Sequence, residues 1–165
     1  MTRRETEDQL LTLIRESFPD IAYSGPITPA DQRTEEEFDE CRELYGALHG
    51  RPWSEIPTSV IRRNDYGLTL LTEHAFASYL PAWLTAGVLD QQIGEAVVYS
   101  FVPDVGRHVQ SMDTRLQRLS HVQRAALLAF IEHRIQLEHS RTGKKDTEEA
   151  LKYVSAVPQK SLGER

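Results

Sequence analysis

Six large apolar or aromatic side chains, Phe76, Tyr79, Leu80, Trp83, Leu84 and Val88, follow one another at spacings of 3, 1, 3, 1 and 4. That rhythm puts them on one broad face of a helix, and Thr72 can cap its first turn. On pattern alone this is the most deeply buried segment of the chain, so the remaining elements have to cover it. Pro81 lies inside it and lacks the amide that would bond to the Ala77 carbonyl, so a kink is expected there.

Other segments repeat the helical period. Leu10, Leu11, Leu13, Ile14 and Phe18 predict a helix from about residue 4 to 17, stopped where Pro19 follows Phe18. Thr34-Glu-Glu-Glu37 reads as a capping box. Phe38, Cys41, Tyr45 and Leu48 then share one face, and Glu36, Asp39, Glu40 and Glu43 the opposite one. Gly50 suits a left-handed helix end, Trp53 a tucked turn, and Asn64-Asp65-Tyr66-Gly67 a turn. Val60-Ile61 begins either a short helix or an extended piece. Ala96 to Val102 has the composition of a strand without a second strand to pair with, so a helix end or a buried extended segment is an equal reading.

Residues 103–118 keep helical spacing but start weakly at Pro103 and Gly106. Ser120 with Gln123 forms a second capping box before the stripe Val122, Ala126, Leu127, Phe130, Ile131 and Ile135. Thr142-Gly-Lys-Lys reads as a polar linker, with Asp146 capping a short last helix through Ala150, Leu151 and Val154. The expectation is a mostly α, single-domain bundle of about five to six helices over 1–155, with at most one short extended segment near 96–102 and a flexible tail over 156–165.

Composition narrows the function. The 165 residues carry a formal charge of −6, divided into −8 over 1–90 (8 basic, 16 acidic) and +2 over 91–165 (11 basic, 9 acidic). An acidic balance of this kind argues against a nucleic-acid partner and suits a basic protein. The single cysteine, Cys41, excludes an internal disulfide framework and any multi-cysteine zinc site. No apolar run approaches the ~18 residues of a membrane span, and the start lacks a signal-like apolar stretch, so no membrane association and a cytoplasmic location are expected. Neither a phosphate-cradling Gly-rich loop nor a dinucleotide fingerprint is present, so no cofactor is expected.

The candidate constellations are few. His133 and His139 are six residues apart, about 120° around a helix, so they cannot chelate together. Glu132, Gln136 and His139 do share a face, which a solvated helix surface explains without a metal, and no metal site is expected. Nucleophilic catalysis has no Gly-x-Ser-x-Gly to rest on, and Cys41 falls on an apolar face. Asp104, Arg107 and His108 form the most site-like polar cluster. Arg107, Arg115, Arg118, Arg124 and Arg134 would be the residues of any nucleic-acid surface. Trp53, Phe76, Tyr79 and Trp83 could line a ligand pocket, although core packing explains the same spacing.

Gly50-Arg-Pro-Trp53-x-x-Ile56-Pro57, Leu71-Thr-x-x-Ala75-Phe76-x-x-Tyr79-Leu80-Pro81-Ala82-Trp83-Leu84 and Leu119-Ser120-x-x-Gln123 together resemble a family of small bacterial proteins catalogued only as a domain of unknown function. The resemblance spans roughly residues 5 to 155 and implies a mostly helical single domain. It brings no catalytic residues. The functional expectation is therefore a non-enzymatic, immunity-like or adaptor-like module in a bacterial cytoplasm, binding a basic protein through Glu36, Asp39, Glu40 and Glu43. The alternative is a small hydrolase or nucleic-acid-acting enzyme using Asp104, Arg107 and His108.

Overall fold

The structure, a computed structural model, describes residues 1–29, 35–103 and 109–159. Within them the chain forms eight α-helices and no strand: α1 (Arg3–Ser17), α2 (Glu35–Leu48), α3 (Thr58–Arg63), α4 (Glu73–Leu89), α5 (Gln91–Tyr99), α6 (Val109–Gln117), α7 (His121–Leu137) and α8 (Arg141–Ala156). Two 3-10 turns, Trp53–Glu55 and Gly67–Leu70, link α2 to α3 and α3 to α4. The all-α class is as expected. The helices outnumber the expected five to six because α3, α5 and α6 are short, and short helices carry too few periodic positions to stand out in a sequence.

α4 is the centre of the bundle. It packs against α1, α3, α5, α6, α7 and both 3-10 turns, and its side chains are buried on every side. Thr72 caps it by accepting from the Ala75 amide at 3.1 Å, and the helix runs on through Pro81. Phe76, Tyr79, Trp83 and Trp53 all lie in the core. Trp83 donates its indole N–H to the Asn64 carbonyl at 3.0 Å, so its polar atom is satisfied inside the core.

α7 and α8 lie together, with α1 against α7 and α5 against both. Asp90 both ends α4 and starts α5: its amide bonds to the Ala86 carbonyl, and its carboxylate accepts from the Ile93 amide at 3.1 Å. That cap turns Gln91–Tyr99 into a helix burying Ile93, Ala96 and Val97, so 96–102 is not extended. The β-branched pair Val97-Val98 reflects burial on one helix face, and tertiary packing outweighs its strand propensity. α4 and α5 meet at two glycines: a Cβ on Gly94 would lie 2.7 Å from the Gly87 carbonyl oxygen, a contact no larger residue allows.

Three further expectations change. α2 buries Cys41, Leu44 and Leu48, whereas Tyr45 is half exposed and stacks on His49. Val122 is exposed in the first turn of α7. The Thr142-Gly-Lys-Lys segment is helical, because Ser140 caps α8 by accepting from the Gly143 amide at 3.0 Å, one turn earlier than Asp146 would. Gly50 does take the left-handed conformation, at φ 73°. Thr34 and residues 160–165 lie outside the described residues; of the remaining C-terminal segment, Val157 is buried.

Candidate functional site

Of the four acidic residues assigned to a partner surface, Asp39, Glu40 and Glu43 are exposed, on the side of α2 away from Cys41, Leu44 and Leu48. Glu43 pairs with Arg63 at 3.0 Å. The side chain of Glu36 lies outside the described residues, as do Asp104, Arg107 and His108. Glu132, Gln136 and His139 are exposed, and His133 is buried. No group of three or more His, Cys, Asp or Glu among the described residues could hold a metal ion.

The arginines expected to form any basic stripe are mostly occupied by the fold. Buried Arg115 donates from Nε to the Leu71 carbonyl at 2.8 Å and from one terminal nitrogen to Thr69 at 3.0 Å, tying α6 to the start of α4. Buried Arg124 donates to the carbonyls of Leu116, at 2.8 Å, and Val157, tying α7 to the ends of α6 and α8. Arg118 pairs with Glu73 at 2.8 Å. Each buried guanidinium answers carbonyls left open by the ends of helices and turns.

Arg134 differs. It is 5% exposed, yet its guanidinium forms no hydrogen bond or ion pair with any described residue. It lies flat on α5, where a Cβ on Gly94 would come within 3.0 Å of it. Burial pulls its pKa down, while the carboxylates of Glu95 and Glu138 act in the opposite direction. Arg134 lines a half-open cavity of about 300 Å³ between α5, the end of α7 and the start of α8. Tyr66 and Tyr99, both partly exposed, meet edge to face with centroids 6.0 Å apart on the cavity wall. Glu95 lines it with one oxygen taken by Gln91 at 3.2 Å.

Two further carboxylates line the same space. Glu138 Oε1 accepts from the amides of His139 and Ser140, at 3.1 and 3.0 Å, and from the Ser140 hydroxyl at 3.0 Å. These donors, the Ser140 amide foremost, hold its pKa below the usual carboxylate range. Asp146, in the second turn of α8, is half buried and has no hydrogen-bond or ion-pair partner. The cavity therefore holds a guanidinium and a carboxylate, Arg134 and Asp146, that make no hydrogen bond or ion pair with each other or with any other described residue.

Sequence reasoning missed this site. Arg134 continues the buried series Leu127, Phe130 and Ile131 at helical spacing, and an arginine on an apolar stripe was the available signal. Nothing in the sequence showed that α5 and α8 would close around it, because α5 did not read as a helix and Ser140 did not read as a cap.

The fold and cavity define an all-helical domain with a small polar recess between three helices. Residues 6–156 match the family described as "Family of unknown function (DUF6714)", and the chain belongs to it. No curated protein and no solved structure matches the chain. No described helix is long and apolar enough to cross a membrane.

Proposed function

We propose that this chain is a non-enzymatic binding module whose ligand site is the Arg134 cavity, taking a small molecule through an anionic group on the guanidinium. The observation that carries this reading is a buried arginine with no hydrogen-bond acceptor in the fold. Arg115 and Arg124 spend their guanidinium groups on backbone carbonyls, whereas Arg134 lines a cavity with only the nearby charges of Glu95 and Glu138 to offset it and no acceptor in contact. A volume of about 300 Å³ is the lower end for small-molecule pockets and too small for a folded partner. A binding role is favoured over catalysis because the only hydroxyl nucleophile in the wall outside the two tyrosines and Thr147, that of Ser140, serves as a helix cap and donates to Glu138. Thermal unfolding with a panel of small carboxylates and amino acids tests it. At least one compound raises the Tm of the native protein and not that of Arg134→Met; a panel that shifts neither, or shifts both alike, contradicts the reading.

A second reading is supported at α2. Asp39 and Glu40 are exposed with no hydrogen-bond or ion-pair partner, which suits electrostatic docking of a basic protein on this face, in the manner of an immunity-like or adaptor-like protein. Its probe is a small basic protein of high isoelectric point, titrated at low and at physiological salt. Affinity falls with salt and with charge reversal at Asp39, Glu40 and Glu43; affinity indifferent to both removes the idea.

A further inference from the structure

Building on the binding reading of the Arg134 cavity, we infer that its ligand is a small zwitterion of the α-amino-acid type with an apolar side chain, its carboxylate on Arg134 and its ammonium on Asp146. Arg134 lies against α5 and Asp146 projects from α8; both line the same cavity, and neither makes a hydrogen bond or ion pair with a described residue. A ligand carrying only an anion would satisfy Arg134 while facing Glu95, Glu138 and Asp146 in a recess of net negative charge. One carrying only a cation would leave the buried guanidinium open. A molecule carrying both charges offers a partner to each group and adds no net charge.

The rest of the wall specifies the remainder. Glu138 already accepts three hydrogen bonds on one oxygen, so it acts as a fixed negative background rather than a free ligand. Val98 and the rings of Tyr66 and Tyr99 give an apolar, aromatic surface near the opening for a side chain, and a tyrosine face also attracts an ammonium. A volume of about 300 Å³ accommodates a single free amino acid.

The test uses the full chain and calorimetric titration with L-leucine and L-phenylalanine, each beside its two single-charge analogues: 4-methylpentanoate and isopentylamine, 3-phenylpropanoate and phenethylamine. Each amino acid that binds does so at least about tenfold more tightly than both of its analogues. Arg134→Met removes that advantage over the amine, and Asp146→Asn removes it over the carboxylate, while both variants keep the native circular dichroism. Arg134→Lys, which restores a cation without the planar fork, recovers part of the affinity. If the carboxylates bind as tightly as the amino acids and Asp146→Asn has no effect, the zwitterion inference fails while the Arg134 cavity stands. If none of the six compounds binds at millimolar concentration, both fall.

Discussion

The hydroxyl of Tyr79 lies 2.5 Å from the Leu48 carbonyl, 2.8 Å from that of Arg51 and 3.5 Å from that of Tyr23, a single donor among three acceptors beyond the end of α2. Burial pushes its pKa up to about 12, so it remains a donor throughout the physiological range. Tyr79→Phe keeps the ring and takes the hydroxyl donor from the Arg51 carbonyl, while the Leu48 carbonyl keeps the Arg51 amide; a loss of about 1–3 kcal/mol in chemical denaturation is expected. His133 behaves differently. Its Nε2 is buried without a hydrogen bond, 3.9 Å from Glu7, and burial lowers its pKa although Glu7 opposes that and Arg134 and Arg3 reinforce it. Below pH ~6.5 the unfolded chain takes up this proton more readily than the folded one, so stability is full above that pH and declines as the pH falls. His133→Gln flattens the decline, measured as Tm between pH 7.5 and 5; a native protein that gains stability on acidification through a charged His133–Glu7 pair would reverse the sign. Residue identities at this scale were legible where one helix face decides them, as with Cys41. Tyr45 and Leu44 show the limit: adjacent positions on the edge of an amphipathic face exchange places with a small rotation of the helix, and only the packing of α2 decides which is buried.

Helix boundaries depend on single caps. Asp90 accepts from the Ile93 amide and also pairs with Arg62 at 2.8 Å; the Arg62 bond, together with the Ile93 amide, holds its carboxyl below the usual range. Asp90→Ala is expected to cost about 0.5–2 kcal/mol and to loosen α5 first, seen as faster amide exchange across Ile93 to Val97. At the crossing of α4 and α5, Gly94→Ala drives a methyl into the Gly87 carbonyl and the Arg134 guanidinium, so it both destabilises the fold, by about 1–3 kcal/mol, and disturbs the cavity. The long helices α1, α4 and α7 are readable because each repeats its apolar period for several turns, with Thr72 and Ser120 as recognisable caps for the last two. α5 is not, since its nine residues contain a β-branched pair whose local preference is for strand. α8 began a turn earlier than read because Ser140 and Asp146 are both competent caps, and the choice between them is made by where Glu138 sits.

Across the whole molecule, the even-looking acidity of the sequence separates into surface and interior. Asp39, Glu40 and Glu43 lie outside, while Arg115, Arg124 and Arg134 lie inside. The all-helical class followed from the sequence because apolar periodicity survives without knowledge of long-range contacts. The cavity did not, since it exists only where α5 packs against the junction of α7 and α8, well separated from it in sequence. The interior arginines divide into two kinds, two that hold helix ends together and one that lines a cavity without a hydrogen bond to any described residue. Replacing each with methionine and measuring the unliganded Tm tests that division most directly. Arg115→Met and Arg124→Met abandon buried carbonyls and lower the Tm by several degrees, about 2–4 °C for each kcal/mol lost in a chain of this size. Arg134→Met removes an unpaired buried charge and leaves the Tm equal or higher. A fall for Arg134→Met as large as for the other two would place Arg134 among the structural clamps and contradict a ligand site built around it.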